Sequence, residues 1–167
     1  MSRIIAIDPG EMTGWAIGYL AGAPLVEGGD FQPYDPEGHK FLIVEQYGYD
    51  PWKGFVMNFA NVMEGENPFD IVVYESFRIR ATAAKALTGS DVPTAQCIGA
   101  IKLSAWRGGA KLVTSEPSNK PVIDRQMGGT EYLPRRDQVE HYRDAVRHIH
   151  WYAVNKEGID PNDTRRV

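Results

Sequence analysis

One cysteine, Cys97, is all the thiol chemistry in this 167-residue chain, so an internal disulfide framework is excluded. No second Cys and no His stands beside it at zinc-site spacing, and a small buried hydrophobe is its expected role. Long apolar runs are also missing. Nothing approaches the ~20 residues a membrane-spanning helix needs, and the longest run is broken by charge. The opening Ser2-Arg3-Ile4-Ile5-Ala6-Ile7-Asp8 has no apolar stretch leading to a small-residue cleavage site, so export is not expected and the cytoplasm is the natural compartment. Internal repeats and low-complexity segments are absent. Positive charge is scarce in one half only. Residues 1–75 hold three Lys/Arg against twelve Asp/Glu, a balance of −9, and residues 76–167 hold fifteen against ten, or +5; together these make the net −4. An acidic half beside a basic half fits an acidic site next to a basic binding face, and it equally fits an ordinary mixed surface.

With 43% hydrophobic residues and four Trp, the chain is globular and long enough to bury a core. A single domain over residues 1–155 and a polar C-terminal tail over 156–167 are expected. Arg3–Asp8 reads as a buried strand stopped by Pro9-Gly10, and Thr13–Leu20 and Pro24–Phe31 read as two more, turning at Ala21-Gly22-Ala23. Gln32–Tyr49, with Pro, Gly and Asp at intervals, reads as part loop and part helix. Asp50-Pro51 starts a helix, with Asp50 as its cap, and Trp52, Phe55, Val56, Phe59, Val62 and Met63 form its apolar face. Asp70–Glu75 is a short central strand, and a polar stretch over 76–91 follows it. A helix from Pro93 to Trp106 offers Ile98, Ile101, Leu103 and Ala105 for packing. Lys111–Thr114 is the fifth strand, Ser118–Met127 a short helix, and Arg136–Asn155 the last helix. The order β-β-β-α-β-α-β-α predicts an α/β fold: a mixed five-stranded sheet, with a three-strand antiparallel meander plus two parallel strands, and helices on both faces.

Acids fall where such a sheet gathers them. Asp8 ends the first strand, Glu75 ends the fourth, and His141 and Asp144 share one helix face at i and i+3, with His148 near it. Right-handed crossovers make strands one and four parallel neighbours, and ligand sites lie at such carboxyl ends. Hard oxygens plus one imidazole suit two Mg²⁺ or Mn²⁺ ions about 4 Å apart, which would hold a phosphodiester, activate water and stabilise the leaving 3′ oxygen. Taken singly, Asp8 could cap the next turn, and His141 and Asp144 could sit on a solvated face. Glu75 is a charge ending a buried strand and calls for a partner or a ligand.

Ile5-Ala6-Ile7-Asp8-Pro9-Gly10 with Thr13-Gly14-Trp15-Ala16 resembles the opening of the RuvC-type Holliday junction resolvases, a family of the RNase H-like fold. Asp70-Ile-Val-Val-Tyr-Glu75 resembles their second acidic strand, Gln96-Cys-Ile-Gly99 a motif early in their second helix, Ser118-Asn-Lys120-Pro-Val a basic segment near DNA, and His141-Tyr-Arg-Asp144-Ala145 their closing acidic helix. The similarity runs from residue 4 to about residue 153, with the elements in order. Glu11-Met12 and the Gln32–Met63 region depart from the bacterial pattern, and in this the chain is more similar to phage-encoded members. The resemblance implies an Mg²⁺-dependent endodeoxyribonuclease, with Mn²⁺ able to substitute, whose metal ligands and catalytic residues are Asp8, Glu75, His141 and Asp144. It implies a homodimer acting on four-way junctions and other branched DNA in recombination and repair, with paired nicks leaving 5′-phosphate and 3′-hydroxyl ends. By the same resemblance Phe77 would stack on a base, one residue nearer the acid than in the bacterial enzymes, and Arg78, Arg80, Lys85 and Lys120 would contact phosphates. Other readings are an RNA-processing nuclease of the same fold, an ATP-binding domain of the actin and sugar-kinase type, and a DNA-binding scaffold without catalysis. The ATP-binding type needs about twice this length and a second glycine-rich loop, since Gly108-Gly109 lacks an accompanying acid. The scaffold is disfavoured because all four ligand positions carry competent side chains.

Overall fold

The computed structural model describes residues 1–21, 40–77, 92–135 and 140–166. β1 (Ser2–Asp8) alternates strictly: Ile4 and Ala6 enter one core, Ile5 and Ile7 the other. β2 (Met12–Ala21) returns antiparallel, with Asp8 opposite Gly14, and β3 (Phe41–Pro51) runs antiparallel to β2. β4 (Ile71–Glu75) lies parallel to β1 on its other side, and β5 (Lys111–Ser115) lies parallel to β4. A three-residue β6 (Thr164–Arg166) joins parallel to β3, so the sheet order is β5-β4-β1-β2-β3-β6. The expected mixed sheet of a meander plus two parallel strands is present, with β6 added at its edge. The stretch read as a polar tail holds the end of the last helix, buried Ile159, a 3₁₀ turn at Pro161–Asp163 and β6.

The helices cover both faces. α1 (Trp52–Met63) and α2 (Pro93–Arg107) bury Phe55, Phe59, Met63, Cys97, Ile101 and Ala105 against Ile5, Ile7, Val72 and Tyr74. α3 (Asn119–Gln126) and α4 (His141–Glu157) cover the opposite face, where Ile123, Ala145, Val146, Ile149 and Tyr152 meet Ile4, Ala6, Leu42, Val44 and Val73. α4 is buried on most of its circumference, between the sheet and α3. It ends at Gly158, whose φ of 72° is the left-handed stop a glycine supplies. Among the described residues, no helix is long and apolar enough to cross a membrane.

Several expectations change. The third meander strand is Phe41–Pro51, which takes in the end of the Gln32–Tyr49 stretch read as part loop and part helix and the Asp50-Pro51 read as a helix start; Pro24–Phe31 and the turn beyond Ala21 lie outside the described residues. A register shift opposite Ile17 and Gly18 leaves Glu45 as an extra residue, and this breaks the alternation that marks a strand. Gly48 reads as a breaker, yet it is needed there, because a Cβ would lie 2.7 Å from the Trp15 ring. Asp50 does not cap α1: it accepts a 2.8 Å bond from the Trp15 indole, while the Trp52 amide donates to the carbonyl of Glu11. Leu103 is 55% exposed, because α2 buries the 97-101-105 stripe on its opposite side. The last helix begins at His141, and residues 136–139 of its expected start lie outside the described residues.

A Cβ at Gly14 would collide with the backbone carbonyl group of His141, so Gly14→Ala should cost about 3 kcal/mol or more in urea denaturation. Gly54→Ala, in open space on α1, should instead stabilise by roughly 0.5–1 kcal/mol. His150 is buried in α4, edge-on to the Tyr132 ring at 4.8 Å, and its Nδ1 has no hydrogen-bond partner among the described residues. Burial pushes its pKa from 6.5 down to about 4. The unfolded chain therefore binds a proton that the native state refuses, and the stability is complete above 6.5 and lost as pH falls towards 4. His150→Phe should remove about 3 kcal/mol of acid sensitivity over that window; parallel stability–pH profiles for variant and parent would refute the assignment.

Candidate active site

The alternation that builds the core also builds the site. Asp8 continues the Ile4–Ala6 face of β1, Glu75 continues the Ile71–Val73 face of β4, and Ser115 continues the Val113 side of β5. All three lie at the carboxyl ends of adjacent parallel strands and point towards α4. The bonds from Ser76 to Glu116, 2.8 Å between side chains, and from the Ser76 amide to the Ser115 carbonyl, 2.8 Å, tie the ends of β4 and β5 together. On the helix side, Tyr142 stacks on Tyr47 and Tyr49 with centroids 5.6 and 6.1 Å away, and its hydroxyl donates to the Arg135 carbonyl. This fixes the first turn of α4 over the strand ends.

Each helix residue then meets a strand residue. His141 Nδ1 lies 2.6 Å from Asp8 Oδ2, and His148 Nε2 lies 2.6 Å from Glu75 Oε2. Lys120, at the start of α3, reaches Glu75 Oε2 at 2.5 Å and Asp144 Oδ2 at 2.7 Å. Arg147 Nη1 holds the other Asp144 oxygen at 2.8 Å while its Nε donates to Asp124. His148 is fully buried, and its Nδ1 lies 2.8 Å from Ser115 Oγ.

The charges follow from these contacts. Burial pushes the Asp8 carboxyl above the usual carboxylate range, against the His141 bond and the Lys120 charge. Burial also works against Glu75, but bonds from His148 and Lys120 outweigh it and hold that group below its ordinary value. The bond to Asp8 raises the His141 imidazole, opposed by its partial burial. Lys120 is desolvated too, yet Asp8, Asp144 and Glu75 keep its ammonium above the usual lysine value.

The four residues expected to act together are distributed around one cluster. Ligand atoms of Asp8, Glu75 and His148 all lie within 4.8 Å of one another, and the two carboxylates are the hard oxygen donors a divalent ion takes. His141 adjoins this set through Asp8. Asp144 is joined to it through Lys120, with both its oxygens already bonded to cations. Lys120, expected as a phosphate contact, sits inside the cluster with its side chain 21% exposed. Phe77 is 42% exposed two residues beyond Glu75, and Arg78, Arg80 and Lys85 lie outside the described residues. Ser115, Asn119 and Arg147 were not singled out by sequence. Only Ser115 carried a signal, as the continuation of the alternation in β5.

No protein-family model and no curated protein sequence matches the chain. Among solved structures, it is similar to the Thermus thermophilus RuvC in complex with a Holliday junction substrate, with a TM-score of 0.55 and 15% identity over 93% of this chain and 96% of that one. It is similar to the fowlpox virus Holliday junction resolvase at a TM-score of 0.53 and 15% identity, over 92% and 98% of the two chains. At this identity the likeness shows a shared fold, and the RNase H-like architecture read from the sequence stands.

Lys120→Met would leave Glu75 and Asp144 without their common cation in a largely buried setting. It should lower stability by about 3 kcal/mol in urea denaturation with chelator present. A loss under about 0.5 kcal/mol, the range of an ordinary surface change, would mean the carboxylates are compensated by other groups.

Proposed function

We propose that this protein is a metal-dependent endonuclease that resolves four-way DNA junctions by hydrolysing phosphodiester bonds. The observation that carries the reading is the meeting of Asp8 and Glu75 at adjacent parallel strand ends beneath the histidine face of α4. This occurs in a fold shared with the fowlpox virus Holliday junction resolvase and with a RuvC seen in complex with a Holliday junction substrate.

Asp8 and Glu75 would hold the divalent ion, Mg²⁺ with Mn²⁺ as substitute, and His141 and Asp144 would complete its surroundings from α4. Bound there, the ion would neutralise phosphate charge and activate a water molecule, leaving 5′-phosphate and 3′-hydroxyl ends. The donor chemistry fits: Asp8 and Glu75 are ionisable oxygens gathered at partly or fully buried positions, which calls for a cation. Lys120 carries a positive charge to the same point and is positioned to meet a phosphate oxygen that approaches Glu75. Arg147 anchors Asp144, so α4 presents its acid in a fixed orientation. Exposed Phe77 offers a ring for a base unstacked at the junction. Two symmetric nicks on one junction need two such sites, and a homodimer supplies them.

The test is cleavage of matched four-way, Y-fork, duplex, single-strand and RNA–DNA substrates in Mg²⁺ and in Mn²⁺. Four-way DNA should be cut best, with binding that weakens as salt rises. Asp8→Asn and Glu75→Gln should each abolish cleavage while junction affinity stays within about threefold of the parent, a loss confined to the chemical step. Nicking retained by either variant would overturn the site, and preferential cutting of the RNA strand would make this an RNA-processing nuclease.

A further inference from the structure

His148 stands close enough to Asp8 and Glu75 to be taken for a third metal ligand, but its bonds assign it a different task. Glu75 Oε2 receives the Lys120 ammonium at 2.5 Å and the His148 Nε2 at 2.6 Å. An oxygen held by an ammonium is an acceptor, so Nε2 must bring the proton to that bond. The far side of the ring agrees. Asn119 Nδ2 can only donate, and it lies 3.2 Å from Ser115 Oγ. The Ser115 hydroxyl carries a hydrogen of its own, and His148 Nδ1, 2.8 Å away, is placed to receive it. With Nε2 donating to Glu75 and Nδ1 accepting from Ser115, the bonds run one way through four residues, from Asn119 to Ser115 to His148 to Glu75. In that arrangement both ring nitrogens are used, and neither has a lone pair left for an ion.

We infer that His148 is a positioning residue, held by Ser115 and Asn119, which fixes Glu75 by one oxygen and leaves the other, Oε1, for the ligand. This rests on the metal-dependent reading of the site. It adds a division of labour: α4 contributes His141 and Asp144 near the ion and His148 behind the carboxylate. A histidine orienting a carboxylate from behind is sensitive to donor geometry and indifferent to the ring itself. Gln can present an N–H near the place of Nε2, whereas Ala cannot. Full burial of His148 and Ser115 keeps water from substituting for the missing donor.

Three measurements test the assignment on the full chain. In ¹⁵N-resolved NMR of the metal-free protein, His148 should show a protonated Nε2 and an unprotonated Nδ1; the opposite tautomer would overturn the chain of bonds. Mn²⁺ titration by calorimetry should show affinity reduced about 10–100-fold in His148→Ala and close to the parent in His148→Gln. Unchanged affinity in the Ala variant, or Gln as defective as Ala, would refute positioning, the second by showing that the ring is required as a ligand. In junction cleavage, His148→Ala should lose kcat by a similar factor with KM unchanged, Gln should restore most of it, and Ser115→Ala should fall between them. Should His148→Ala fold poorly, the Gln and Ser115→Ala variants carry the same decision. If the parent cuts no branched DNA at all, the nuclease reading fails, while the tautomer and Mn²⁺ results still judge the positioning role.

Discussion

The contact between α4 and β2 at Gly14 is the constraint on which the site depends. There the helix backbone lies directly on the strand, with no side chain between them. A helix held at that distance brings its first turn down to the level of the strand ends, so His141 can reach Asp8 and His148 can reach Glu75 by direct bonds. Any larger residue would lift the helix and lengthen both bonds together. The tyrosine stack of Tyr47, Tyr142 and Tyr49 secures the same turn from the β3 side. Core packing and site geometry are therefore one property here: Ala145, Val146 and Ile149, which fix the depth of α4, also fix the distances at the cluster.

Much of the arrangement could be read before folding, because it rests on local rules. The Ile-rich β1 and the Ile-Val-Val run of β4 each end in an acid, and period-two alternation sends Asp8 and Glu75 to the same face. His141 and Asp144 follow from helical spacing alone. What escaped the sequence depends on contacts between distant segments. Lys120 lies 24 residues from Asp144, and nothing in its neighbourhood indicates that α3 docks it among the acids rather than towards solvent. Ser115 and His148 are 33 residues apart, and Trp15 and Asp50 are 35 apart, so neither pair leaves a local trace. β3 was obscured differently: its extra residue at Glu45 and its Gly48 disrupt the pattern that identifies a strand.

The division of charge along the chain also takes on a physical form. The acidic first half supplies β1 and β4 with their terminal carboxylates, and the basic second half supplies Lys120, which leans into the same cluster from α3, while Arg147 braces Asp144 within that second half. The two halves are joined there by short bonds between largely buried groups, where opposite charges interact far more strongly than at a surface. The imbalance seen as a count in the sequence is, at this point, an attraction that draws the two ends of the chain together.

Lys120 gives that attraction a further meaning. Its ammonium is a counterion supplied by the protein and tethered by a flexible stem, so its local concentration beside Glu75 and Asp144 is set by geometry and does not fall when salt or chelator is added. Small zinc domains, by contrast, stay unfolded until their ion arrives, because nothing internal offsets their ligands. This chain sets a cation of its own between two of its clustered acids, so the shape of the cluster does not wait on a counterion from outside.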